Sequence, residues 1–170
     1  MPGKVIGISF NNGYPGTISR LGDEISRTRP LKEGSEDLYF GDPVILNTDG
    51  TFQKFGASNT AAQFAGVAMR RIKGATQYLS QSRAFYTSLE PTDVLERGGV
   101  TVNVNVGTPT IGGAIYIRIA ANASIPAGVV GGFEAAADGT NTIQLTNAKW
   151  ATLKDANSVA ELTILTRQGV

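Results

Sequence analysis

Glu90, Asp93 and Glu96 stand three residues apart, a spacing that on a helix would gather three carboxyl groups on one face for acid–base work. Pro91 interrupts that spacing, and the flanking residues read as a turn running into a strand. A solvated, charged loop is therefore the expectation for this cluster. The chain has no histidine and no cysteine. The commonest general base, the commonest transition-metal ligand and all thiolate chemistry are thereby removed. Serine and threonine are abundant, but without histidine their activation needs a lysine or an N-terminal amine, and Met1-Pro2 supplies no such nucleophile. Asp138, followed by Gly139, Thr140 and Asn141, offers one carboxylate where a tight calcium site wants several, so a β-turn is the better reading. Gly98-Gly99, Gly112-Gly113 and Gly131-Gly132 fit no phosphate-binding motif and are expected at bulges and tight turns. No catalytic, metal or cofactor-binding residue is assigned, no cofactor is expected, and the chain does not read as an enzyme.

The basic residues carry more information. Lys54, Arg70, Arg71, Lys73 and Arg83 fall in the window 50–89, which contains no acidic residue. Phe64, Tyr78, Phe85 and Tyr86 are interleaved with them, a pattern that raises nucleic-acid binding. The overall formal charge of +1 counts against it, because the remainder of the chain is net negative. A polarised surface facing an acidic patch on another protein accounts for the same residues.

These residues must be positioned by a β-rich body. Charged residues make up only 17% of the 170 residues, and hydrophobic residues 41%, enough for a core. Val100, Val102, Val104 and Val106 alternate with polar residues, which is the period of a strand with one wet face. Ile115, Ile117 and Ile119 repeat the pattern, with Tyr116 and Arg118 on the other face. Ala160, Leu162 and Ile164 do so again. Leu38 to Asn47 and Thr51 to Phe55 flank Thr48-Asp49-Gly50, a hairpin signal, and Phe64 to Ile72 reads as a further strand. Short helices are credible only at Thr60 to Phe64 and Ala75 to Arg83. Turn signals every ten residues or so point to an all-β, jelly-roll-like barrel or sandwich over residues 38–170. Residues 1–37 are rich in proline and glycine and lack a periodic apolar face, so an extended N-terminal arm is expected there. No apolar run reaches the length that spans a bilayer, and no secretory signal is visible.

The run Asn12-Gly13-Tyr14-Pro15-Gly16-Thr17-Ile18-Ser19-Arg20 resembles the opening of the capsid structural cement, or decoration, proteins of tailed bacteriophages. The order that follows is similar too: Phe40-Gly41-Asp42-Pro43-Val44, Phe64-Ala65-Gly66-Val67-Ala68 with Arg70, and Arg97-Gly98-Gly99-Val100. Gly113 to Arg118 and Ala160 to Leu165 complete it, so the resemblance spans nearly the whole chain. It implies a jelly-roll-like domain with an arm, bound outside the major capsid shell across capsomer joints as a homodimer or homotrimer. It further implies that the protein is made in the host cytoplasm and resides in the virion, with no direct nucleic-acid or membrane partner.

The expected protein-interface residues are Tyr14, Pro15, Gly16, Arg20, Arg27, Arg29, Arg70, Arg71 and Lys73. Pro15 and Gly16 suggest a defined turn, with Tyr14 as an amphipathic anchor in a neighbour's pocket or packed on its own domain. Other virion parts (tail tube, head–tail connector or baseplate) share this β-rich style and are the alternative. A carbohydrate-binding module is weakly supported, since the single Trp150 fits a core or an oligomer interface better.

Overall fold

A computed structural model of the chain describes residues 11–71 and 83–167. Its strands are β1 (Ile18–Pro30), β2 (Leu38–Tyr39), β3 (Pro43–Leu46), β4 (Phe52–Lys54), β5 (Phe64–Ala68) and β6 (Phe85–Tyr86). They continue with β7 (Pro91–Val106), β8 (Ile115–Arg118), β9 (Phe133–Glu134), β10 (Thr142–Leu145), β11 (Ala148–Trp150) and β12 (Val159–Ile164). Among the described residues the only helical elements are two 3-10 turns, Ala61–Gln63 and Gly139–Asn141. The first lies within the short helix expected at Thr60 to Phe64; residues 75–82 of the other expected helix lie outside the described residues. The chain is all-β, a sandwich-type domain of the jelly-roll-like class.

β7 is the hub. Along one edge it pairs antiparallel with β1, from Ile18↔Val100 to Pro30↔Pro91. Its other edge pairs with β5 at Val94 and Leu95 and then with β12 from Gly98 to Asn103. Its end runs parallel to β9 at Val104 and Val106, and β9 leads on to β8 and β10. The β3–β4 hairpin closes around residues 47–51, with the Asn47 N–H donating to the Thr51 carbonyl at 2.9 Å.

The alternation of side chains along these strands builds two cores. Ile45, Val67, Leu95 and the Val100, Val102, Val104 row enter the main core, together with Ile115, Ile117, Phe133, Trp150 and Leu162. Their neighbours Val44, Ala68 and Val94 point the opposite way, into a smaller core with Leu31, Leu38, Phe52 and Tyr86. Since β3 and β5 are buried on both faces, they read in sequence as short apolar runs and not as alternation. Trp150 belongs to the main core, 1% exposed.

β1 differs from the other long strands. It lies within residues 1–37, and most of its residues are exposed on both faces. Residues 21–24 bulge out opposite the single residue Gly98, between the pairs Arg20↔Gly99 and Ile25↔Arg97. Gly98 takes φ +115°, and a Cβ there would stand 3.1 Å from the Asp23 carbonyl oxygen, so the bulge needs glycine at this point.

Arg118 departs from the solvent-facing position expected beside Tyr116: it is fully buried. Its diagonal neighbour on the paired strand is Glu134, also fully buried, and the two form a bidentate pair with Nη2 to Oε2 at 3.0 Å. Nη1 donates to Asp138 at 2.8 Å and to the Ala120 carbonyl at 3.2 Å. A buried guanidinium is tolerated only because its donors are met in this way.

Candidate functional site

The Gly13-Tyr14-Pro15-Gly16-Thr17 stretch forms a tight turn. Thr17 N–H donates to the Tyr14 carbonyl at 3.2 Å, and Gly16 at the third position has φ +80°, as a type II turn with proline second requires. The turn is locked onto the sheet from three directions. Gly16 N–H donates to the Thr101 carbonyl at 2.7 Å, and the Thr101 hydroxyl donates to the Tyr14 carbonyl at 2.6 Å. Arg70 N–H donates to the Gly16 carbonyl at 2.7 Å. A Cβ on Gly16 would meet the Ala68 oxygen at 2.8 Å, so the close approach itself demands glycine.

This anchoring fixes the Tyr14 backbone while leaving the residue 67% exposed. The Arg70 guanidinium lies over that ring, 4.2 Å from its centroid. Beside the pair opens a cleft of about 370 Å³ whose other walls include Tyr39, Phe40, Arg83 and Asn103. Tyr39 packs on Phe85 at 5.3 Å and Phe40 on Tyr86 at 5.3 Å, so the aromatic walls are themselves braced. Tyr86 donates its hydroxyl to the Met69 carbonyl at 2.7 Å, and burial, with Asp93 adding to it, pushes its phenol up to about 12.

The other expected interface residues are placed differently. Arg20 pairs with Glu161 at 3.1 Å, Arg27 with Glu96 at 3.3 Å, and Arg71 with Asp93 at 3.0 Å. Arg29 donates to the Gly50 carbonyl at 3.2 Å. Lys73 lies outside the described residues. The structure thus brings Tyr14, Pro15, Gly16 and Arg70 together and sets the β1 arginines and Arg71 along β7, each held by an acceptor of this same chain.

The same pairs decide the carboxylate cluster. Asp93 and Glu96 are an odd number of residues apart on β7, so they leave the strand on opposite faces. Glu90 takes Arg83 at 3.6 Å, Asp93 takes Arg71 and the Thr28 hydroxyl, and Glu96 takes Arg27 and, at 2.7 Å, Arg167. The three carboxylates do not converge on a common point. Three of the five basic residues in the window 50–89 are paired from outside it: Lys54 by Asp42 at 3.0 Å, Arg71 by Asp93, Arg83 by Glu90. Burial holds the Asp42 carboxyl above its ordinary value in spite of that lysine. Among the described residues no group of three or more metal-ligating side chains is present.

Sequence reasoning missed Arg118 and its network. Asp138 accepts from Asn122 at 3.0 Å, from Arg118 and from Asn141 at 3.3 Å, and these donors hold its carboxyl below the usual value. The network fastens the segment between β8 and β10, including the turn at Gly128, whose Cα passes so near Arg118 that a Cβ would collide with the guanidinium. Arg118 and Glu134 are far apart in sequence, and only the β8–β9 register makes them neighbours.

Comparison with known proteins agrees with this architecture. The model of the XM1 gp53 minor capsid protein family matches residues 3–164. No curated protein matches. A chain of the solved structure "The capsid of Myoviridae Phage XM1" superposes with a TM-score of 0.68, covering 96% of this chain and 98% of that one at 17% identity. With a family match over nearly its full length and the same fold, this chain belongs to the XM1 gp53 minor capsid protein family and is a structural component of a phage capsid.

Proposed function

We propose that the protein is a cement, or decoration, protein that binds the outside of the major capsid shell across capsomer joints and stabilises the head. The observation that carries this reading is the family match over residues 3–164, joined to a face built for contact and not for turnover. The carboxylates of the Glu90 cluster are each tied to an arginine, and the exposed aromatic and cationic groups gather around the anchored turn at Tyr14. Such a protein acts without catalysis or cofactor, and its partners are the major capsid protein and its own copies in a homodimer or homotrimer. Nucleic acid and membrane are not among them. Modest affinity per copy suffices, because contacts repeated over a lattice add through valency.

In this reading residues 1–37 act as an arm laid along the body formed by 38–170. Tyr14, Pro15, Gly16 and Arg70 form the centre of the contact and Arg20, Arg27, Arg29 and Arg71 form its rim; Lys73, outside the described residues, is assigned to the same contact. The test is co-sedimentation of purified protein with empty, expanded shells of the cognate phage. Saturable binding is the expected result. Protein that stays in the supernatant and assembles alone into rings or tubes would instead place it in a tail or connector.

A further inference from the structure

We propose that the Tyr14–Arg70 cleft is a receptor for a carboxylate-bearing, extended protein segment supplied by the shell partner. The proposal rests on the cement reading and names the chemistry that this face recognises.

The argument starts from the arginines. Seven of the nine in the sequence, all of them described, hold a carboxylate of this chain within 4.0 Å. Arg29 is turned to a backbone carbonyl. Arg70 alone has no oxygen partner, of side chain or backbone, for its guanidinium among the described residues; the guanidinium lies instead over the Tyr14 ring. A guanidinium lying on an aromatic face keeps its in-plane N–H donors directed outward, in the fork that a carboxylate takes in two parallel bonds.

The site is also held in place before anything binds. Arg70 and Tyr14 are joined through their backbones by way of Gly16 and Thr101, so little ordering remains when a ligand arrives. Among the described residues no aspartate or glutamate lines the cleft. Tyr39 and Phe40 provide apolar walls for the residues beside the carboxylate. The Asn103 side chain makes no hydrogen bond among the described residues and projects from β7 into the same cleft, suited to the backbone of an extended segment. Phosphate-backbone binding fits less well. It calls for a row of free cations, and the neighbouring Arg71, Arg83 and Lys54 are already paired.

The experiment follows the arginine Nε–Hε signals of the isotope-labelled full chain by nuclear magnetic resonance. The probes are the blocked peptide Gly-Glu-Tyr-Glu-Gly, its glutamine counterpart, and a short oligothymidylate. The expected result is a saturable shift of the Arg70 signal by the acidic peptide alone, at a dissociation constant of about 1 mM for one bidentate pair on a small ligand. The backbone amides of Tyr14 and Asn103, which line the cleft and persist when Arg70 is replaced, shift with the acidic peptide in wild type and not in Arg70→Gln. In Arg70→Lys, which keeps the charge without the fork, the same amides report binding about tenfold weaker. No shift at all, an equal shift with the glutamine peptide, or a stronger one with the oligothymidylate overturns the proposal. Sedimentation with expanded shells separates the two readings. If wild type binds shells and Arg70→Gln binds equally well, the cleft proposal fails and the cement reading stands. If wild type does not bind shells while the peptide response persists, the cement reading fails and the cleft remains a carboxylate receptor.

Discussion

Arg118 and Glu134 illustrate how much a single pair decides when both members are dry. Removing Glu134 leaves the buried guanidinium with Asp138 as its remaining carboxylate partner, so Glu134→Gln is expected to cost about 3 kcal/mol of folding stability, read from chemical denaturation. A loss below about 1 kcal/mol would show that the pair is solvated in solution. Gly16 is decisive for a different reason. Its φ of +80° and the 2.8 Å approach of a Cβ to the Ala68 oxygen make Gly16→Ala strained, by about 1–3 kcal/mol, and the strain falls on the turn that displays Tyr14. The expected outcome is a lowered melting temperature together with loss of shell binding; a neutral variant contradicts the turn's role. Neither residue's importance could be read equally from sequence. The Pro15-Gly16 pair announces a turn by its chemistry. Arg118, alternating with Ile117 and Ile119, carries the ordinary mark of a wet face, and its partner is set only by strand register.

At the scale of elements, legibility followed burial. The Val100 to Val106 run, β8 and β12 each alternate apolar side chains on one face with mostly polar ones on the other, so their period of two was visible even where the polar face is buried at Thr101, Arg118 and Glu161, and the β3–β4 hairpin was visible from Asp49-Gly50. β1 was not, since both of its faces are largely exposed and the bulge at residues 21–24 breaks any register. The acid-free window 50–89 looked strongly polarised because its counter-charges, Asp42, Glu90 and Asp93, come from elsewhere in the chain. β1 also makes a prediction of its own. A chain beginning at Leu38 leaves the β7 edge unpaired from Pro91 to Val100 and removes Leu31 from the smaller core. Such an edge templates association, so light scattering is expected to show aggregation and the melting temperature to fall. A monodisperse chain with unchanged melting temperature would mean that β1 contributes nothing to the body's stability.

For the molecule as a whole, stability should weaken in acid through two aspartates. Asp138 is held below its ordinary value of 3.8 by donors from Asn122 and Arg118. Asp155 is held below 3.8 as well: burial pushes it up, but backbone N–H groups of Val159, Asn12 and Asn157 together outweigh that. A carboxyl whose folded value is depressed adds stability above its unfolded value, and that stability is lost as pH falls through the folded one. Melting temperature is therefore expected to drop as pH goes below 3.8, and less steeply for Asp138→Asn; identical acid slopes would contradict the assignment. Asp155 receives Asn12, just ahead of the Tyr14 turn, so acid should also loosen the approach to the face proposed for binding. That face carries Tyr14 and Arg70, whose guanidinium has no oxygen partner among the described residues. The most direct measurement is electron cryomicroscopy of cognate particles that contain the protein. The account predicts density of this β-sandwich on the outer surface over joints between capsomers, with the Tyr14 turn against the shell. Density inside the shell, or in the tail or connector, would contradict it.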